Sequence, residues 1–231
     1  MHAITITLFD WPASPFSLKV RSVLEYKRIA YRRVPILSPS NWLSVRRRGK
    51  VGKAPALEID GRLYVDSTDI CYELERRFAD PPVIPADARQ RALCHAIEEW
   101  ADESIYFVNL YFQWHDPAGR RMVPRAFGEG VSAWLAYWFY LRRILSQIEG
   151  QGTSRKGPDH IHSDLQRHLD AVEALLDGQE FLLGRKPFLC DFAILGQMIY
   201  LSRTPAGSVA LAQRTGIDGF LDRMKKLRGS D

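Results

Sequence analysis

The sequence predicts an α/β domain over residues 1–80, a linker over 81–87 and an all-helical domain over 88–231, on three observations. Short alternating apolar runs interleave with helical ones over the first 80 residues, and after Asp87 every patterned segment is helical. A proline-rich stretch, Pro81 to Pro85, falls between the two textures. The composition, 46% hydrophobic, 26% charged and 11% aromatic over 231 residues, is that of a globular chain able to build a sizeable core.

Each element follows from its pattern. Ile4 to Phe9 alternates as a strand. From Pro15 to about Arg28, Phe16, Val20, Val23 and Leu24 share one helical face, with Ser14 as cap and Pro15 in the first turn. Ala30 to Ile36 reads as a second strand, completing a βαβ unit whose crossover implies parallel pairing. Ala56–Ile59 and Leu63–Val65 flank Asp60 and Gly61, a hairpin signal. A helix then starts near Ser67, carries Ile70, Cys71, Leu74 and Phe78, and stops before Asp80, Pro81 and Pro82. The order βαβ then ββα within 80 residues is that of a thioredoxin-like domain. Beyond it, Leu93, Ile97, Trp100, Ser104, Phe107 and Tyr111 trace one stripe, and Leu165, Leu169, Val172 and Leu176 another. Gln151 to Asp159 reads as the longest loop.

Charge and cysteine usage exclude several classes. Lys plus Arg exceed Asp plus Glu by 32 − 27 = 5, which suits a small anionic ligand but is too diffuse for a nucleic-acid surface. Cys71, Cys94 and Cys190 form no Cys-x-x-Cys pair, so neither a disulfide framework nor a zinc site is encoded, and a reducing cytoplasm is expected. No basic leader and no run of 18 apolar residues is present, so no membrane association is expected.

The chemistry concentrates at one corner. Trp11-Pro12-Ala13-Ser14-Pro15-Phe16-Ser17 joins a strand end to a helix start, where free backbone N–H groups and the helix dipole favour negative charge. Taken alone, Ser14 is a helix N-cap; it is also a hydroxyl placed to donate to an anionic sulfur, with Ser17 as the backup donor. Lowering a thiol pKa by ~2 requires ~2.7 kcal/mol of preference for the thiolate. One charge-assisted hydrogen bond of roughly 1.5–3 kcal/mol, with ~0.3–1 from the helix terminus, is sufficient. No Gly-x-Ser-x-Gly elbow accompanies Ser14, which argues against a serine hydrolase. Lys53-Ala54-Pro55 precedes a strand, and Pro55 alone reads as an ordinary trans proline. Asp66-Ser67 opens the second helix and alone reads as a cap.

The joint order of these features resembles the glutathione transferase family over nearly the whole chain. The resemblance implies a thioredoxin-like domain joined to a helical one, a homodimer, and glutathione as co-substrate. In such proteins a Ser or Cys at the first helix stabilises the glutathione thiolate, which falls on Ser14. A cis-proline strand holds the tripeptide through the residue before it, here Ala54 beside Pro55, with Lys53 placed to reach the glycyl carboxylate. The acidic-Ser pair that grips the γ-glutamyl end reads Asp66-Ser67. Gly184 to Asp191 is similar to the family's helix-capping signature, but Phe188 replaces the usual Ser or Thr, so the reciprocal cap cannot form and a modified helix start is expected.

Other features carry bland expectations. Arg46, Arg47, Arg48, Lys50 and Lys53 read as a solvated basic loop able to steer an anion. Glu98, Glu99, Asp102 and Glu103 read as a wet helix face. His160, His162 and His168 lie in or beside a loop without ligand spacing, so no metal is expected. Aromatics from Trp100 to Trp114 and Trp134 to Tyr140 exceed a minimal core and are candidates for a co-substrate pocket or a dimer interface. The resemblance thus implies a cytoplasmic, detoxifying transferase acting on a small hydrophobic electrophile. A glutathione-dependent lyase, isomerase or peroxidase, or a non-catalytic glutathione-binding adaptor, are the alternatives.

Overall fold

The computed structural model describes residues 4–127 and 130–228. The N-terminal part is built on a four-stranded sheet, order β2-β1-β3-β4, formed by β1 (Ile6–Asp10), β2 (Arg32–Pro35), β3 (Ala56–Ile59) and β4 (Arg62–Tyr64). β1 pairs parallel with β2 in the register Thr7↔Arg32 and antiparallel with β3 in the register Leu8↔Leu57. Every residue of β1 is buried, as a central strand covered on both faces requires. The crossover helix α1 (Pro15–Tyr26) lays Val20, Val23 and Leu24 on the sheet, and α3 (Ser67–Arg77) adds Ile70, Cys71 and Leu74.

Between β2 and β3 the chain forms a helix, α2 (Pro39–Gly49), where the sequence reading has a basic loop. Only Val45 of this helix is buried, so its apolar stripe is too thin for periodicity to register. Arg46, Arg47 and Arg48 occupy its last turn, where they complement the dipole, and Lys50 ends it in the left-handed region at φ 62°. Val45 packs with Phe9, Ile36 and Ala56 in a small separate cluster.

The helical part comprises α4 (Ala88–Glu99), α5 (Tyr106–Leu110), α6 (Pro117–Arg120), α7 (Val131–Gln151), α8 (Pro158–Leu176), α9 (Leu189–Leu201), α10 (Pro205–Leu211) and α11 (Thr215–Arg228). π-helical segments Trp100–Ile105 and Tyr111–His115 flank α5. The extra residue of a π turn rotates the helix face, and the expected stripe breaks accordingly: Leu93 and Ser104 are exposed whereas Phe107 and Tyr111 are buried. The expected loop at 151–159 is instead a short 3₁₀ turn, Thr153–Lys156, leading into α8, which carries His160, His162 and His168. Leu165, Leu169, Val172 and Leu176 are all buried on α8.

α9 is apolar all round, and twelve of its thirteen residues are buried, as befits the central helix of the core. It runs close to the start of α1: a Cβ on Gly196 would come within 2.6 Å of the Pro15 carbonyl oxygen. The start of α9 is modified as Phe188 requires. Asp191 supplies half a capping box, one oxygen accepting from the Phe188 N–H and the other from the Leu182 N–H, both at 2.8 Å. The three cysteines are buried and form no disulfide. No described helix is long and apolar enough to cross a membrane.

Candidate active site

The start of α1, the strand end before β3, the start of α3 and the walls of α4, α5, α7 and α9 enclose a cleft of about 900 Å³. Ser14, Lys53, Ala54, Pro55, Asp66 and Ser67 all line it. Residues 53 sequence positions apart thus meet at one surface because the end of β1, the start of antiparallel β3 and the end of β4 lie at the same end of the sheet, in the registers Phe9↔Ala56 and Leu57↔Tyr64.

Ser14 is the α1 N-cap. Its Oγ accepts from the Ser17 N–H at 3.2 Å, which leaves the hydroxyl proton free to donate toward the cleft. Ser17 is placed differently: it is fully buried behind the turn, its Oγ accepting from the Trp11 N–H at 3.3 Å, and it does not line the cleft. The Ala54–Pro55 peptide is cis, not the ordinary trans proline that Pro55 alone suggests. Asp66 caps α3 through Oδ1, which accepts from the Thr68 and Asp69 N–H groups.

The acidic group on α4 and the following π segment is only half the wet face expected, with Glu99 and Glu103 exposed. Glu98 is fully buried and Asp102 nearly so, because Lys19 of α1, itself fully buried, projects between them. The Lys19 ammonium contacts Glu98 Oε1 at 2.6 Å, Asp102 Oδ2 at 2.5 Å and Thr68 Oγ1 at 3.3 Å. Two carboxylates share one ammonium out of water. Burial, followed by repulsion from Glu98, pushes the Asp102 carboxyl up to about 7 against the attraction of Lys19. A residue of α1 buried under helices of the second part could not be recognised from a one-element pattern. His95, Glu98 and Glu99 bring one potential ligand atom each within 4.8 Å of the others. The Lys19 ammonium already occupies Glu98, so a cation there would meet a like charge.

The aromatic residues divide three ways. Tyr111 and Phe112 are buried and do not line the cleft. Trp11, Phe16, Tyr106, Trp114, Tyr140 and Tyr200 form the apolar half of the cleft, with Phe16 edge-on to Tyr106 at 4.7 Å between centroids. Trp134, Trp138 and Phe139 face outward. The sequence reading missed two cleft arginines, Arg143 and Arg203, which belong to no local motif. Arg203 Nη1 donates to the Ala13 carbonyl oxygen at 3.2 Å, immediately beside Ser14.

Residues 8–82 match the family model described as "Glutathione S-transferase, N-terminal domain". The chain is 22% identical over 222 residues to an isoprene-epoxide–glutathione S-transferase of Rhodococcus sp., covering 92% of each. It is 25% identical to a maleylacetoacetate isomerase of Pseudomonas aeruginosa, over 85% of this chain and 81% of that one. The solved beta-etherase of Sphingobium sp. strain SYK-6 superposes with a TM-score of 0.72 at 21% identity, covering 96% of this chain and 95% of its own. The N-terminal match covers residues 8–82, the similar proteins align along both parts of the chain, and the fold is shared with solved members of that group.

Proposed function

We propose that the protein binds glutathione in this cleft and activates its thiol as a thiolate for attack on an electrophile. Lys53 reaches the glycyl carboxylate, the backbone of Ala54 before Pro55 holds the cysteinyl unit, and Asp66 with Ser67 takes the γ-glutamyl end. Ser14 donates its hydroxyl proton to the sulfur, and the α1 terminus adds a favourable dipole. The thiol proton leaves to solvent. The sulfur electron pair then forms a C–S bond as the bond from that carbon to its leaving group breaks and the pair departs with that group. The aromatic half of the cleft receives the electrophile. One observation carries this reading: the buried Ser14 hydroxyl, its acceptor side engaged by Ser17 N–H, stands at a helix start on the wall shared with Lys53, Pro55 and Asp66.

Calorimetry with glutathione tests binding, and ultraviolet titration of the bound thiolate tests activation. Absence of binding would remove the reading and leave an adaptor role. A second reading is favoured by the name of one similar protein, an isomerase. In it the thiolate adds to the substrate and is later expelled, and it is distinguished by whether glutathione is consumed in proportion to product. We further propose a detoxifying, cytoplasmic role and a homodimer, which the outward aromatic stripe of α7 supports.

A further inference from the structure

The glutathione reading leaves unexplained two arginines on the co-substrate side of the cleft. Arg143 of α7 and Arg203, just after α9, line the cleft, and neither forms an ion pair with any described residue. Both stay accessible to solvent through the opening. The carboxylates that line the cleft, Asp66, Asp69, Glu99, Asp102 and Glu103, stand on the α3 and α4 side. The two arginines line the cleft together with Trp11, Tyr106, Tyr140 and Tyr200, in a lining that also holds Lys53 and these five carboxylates.

Arg203 is also held in place. Its bond to the Ala13 carbonyl fixes one nitrogen of the guanidinium beside the Ser14 corner and leaves the remaining donors of the fork. Burial pulls its pKa down, with Tyr200 opposing and Arg21 adding to the shift. A planar fork beside aromatic faces matches a carboxylate carried on an apolar or aromatic body better than it matches a neutral hydrocarbon.

Resting on the glutathione reading, we propose that the electrophile is an organic acid, an apolar body bearing a carboxylate that Arg203 and Arg143 hold while the reacting carbon faces the sulfur. This refines the small hydrophobic electrophile expected from sequence. The apolar walls take the body, and the arginines set its orientation and reject neutral analogues.

Glutathione conjugates, which need no turnover, test it. Calorimetry on the full chain would compare S-(3-carboxybenzyl)- and S-(4-carboxybenzyl)glutathione with the corresponding carbamoylbenzyl conjugates, which keep the shape and lose the charge. The expected result is at least tenfold tighter binding of one acid than of its amide. Arg203→Gln and Arg143→Gln should each cut that ratio at least threefold, and Arg203→Lys should restore part of it. The ratio is insensitive to a general loss of folded protein. Equal binding of acids and amides would overturn the proposal while leaving the glutathione reading intact. So would a ratio unchanged in both Gln variants, including the case in which Arg203→Gln only raises the pKa of the bound thiol. Failure of glutathione and all four conjugates to bind would remove both.

Discussion

Ser14 carries two loads that a single substitution separates poorly. Ser14→Ala removes the proposed donor to the sulfur and the acceptor for the Ser17 N–H. The first loss should raise the bound thiol pKa by about one to two and cut turnover near neutral pH by roughly 10–100-fold, from a charge-assisted bond of ~1.5–3 kcal/mol. The second should cost ~0.5–2 kcal/mol of stability. Ultraviolet titration and urea unfolding read the two separately, and an unchanged thiol pKa would remove Ser14 from the mechanism. Asp191 makes a different prediction. Burial pushes its carboxyl up to about 6 despite the N–H groups of Phe188 and Leu182. Between about pH 4 and pH 6 the folded state keeps a proton that the unfolded state has released, so the Asp191 contribution to stability falls as pH rises, by roughly 3 kcal/mol. Asp191→Asn removes that fall but also one backbone acceptor. Its deficit relative to wild type should therefore be smaller at pH 7 than at pH 4 by urea unfolding, and a deficit that grows with pH would contradict the assignment. That Ser14, Lys53, Pro55, Asp66 and Ser67 would share one cleft is legible because each sits in a local motif whose order the fold preserves. That Arg143 and Arg203 would join them is not, because only packing brings α7 and the end of α9 to the Ser14 corner.

At the level of elements, the strands and the helices α1, α3 and α8 follow from periodicity because each buries a full stripe. α2 escaped because it buries only Val45, and the stripe from Leu93 to Tyr111 was misread because two π segments shift its phase. α7 presents the opposite situation, a stripe that is legible and unburied. Val131, Trp134, Leu135, Trp138 and Phe139 follow helical spacing and are each 45% exposed or more. No charged residue interrupts the sequence from Val131 to Leu141, so this face can pair with its own copy about a two-fold axis without an opposing charge pattern. The expected outcome is a dimer in sedimentation equilibrium that Trp138→Glu with Phe139→Glu converts to monomer, with the thermal transition of the isolated protomer preserved. A wild-type monomer at micromolar concentration, or a dimer indifferent to both substitutions, would assign the stripe elsewhere.

The two parts of the molecule share one continuous core, running from Leu8, Leu57 and Val23 through α9 to Leu165 and Phe220, and one buried polar cluster is set into it. Lys19 reaches from α1 to Glu98 and Asp102, with Thr68 of α3 donating to Glu98 Oε1 at 2.6 Å, so the cluster ties three elements beside the cleft. Such an arrangement contributes little net stability when intact and a large loss when one partner is removed, since an uncompensated buried charge remains. Lys19→Met should therefore cost about 3–5 kcal/mol at pH 8, where both carboxylates face the deletion ionised or must take up protons from a dilute supply. Lowering the pH supplies those protons. The Asp102 carboxyl, already held up to about 7 in the intact cluster, rises further without the ammonium, so the folded variant binds protons that the unfolded chain does not. By that sign the deficit of Lys19→Met relative to wild type shrinks as pH falls from 8 to 5. The combination of Lys19→Met with Glu98→Gln and Asp102→Asn should lose the part of the pH dependence that comes from the cluster and keep that of Asp191. Urea unfolding of the three proteins at both pH values separates this from simple loss of packing: a deficit of equal size at pH 8 and pH 5 would mean that the lysine acts through its methylene chain and that its charge is incidental to how the two parts are held together.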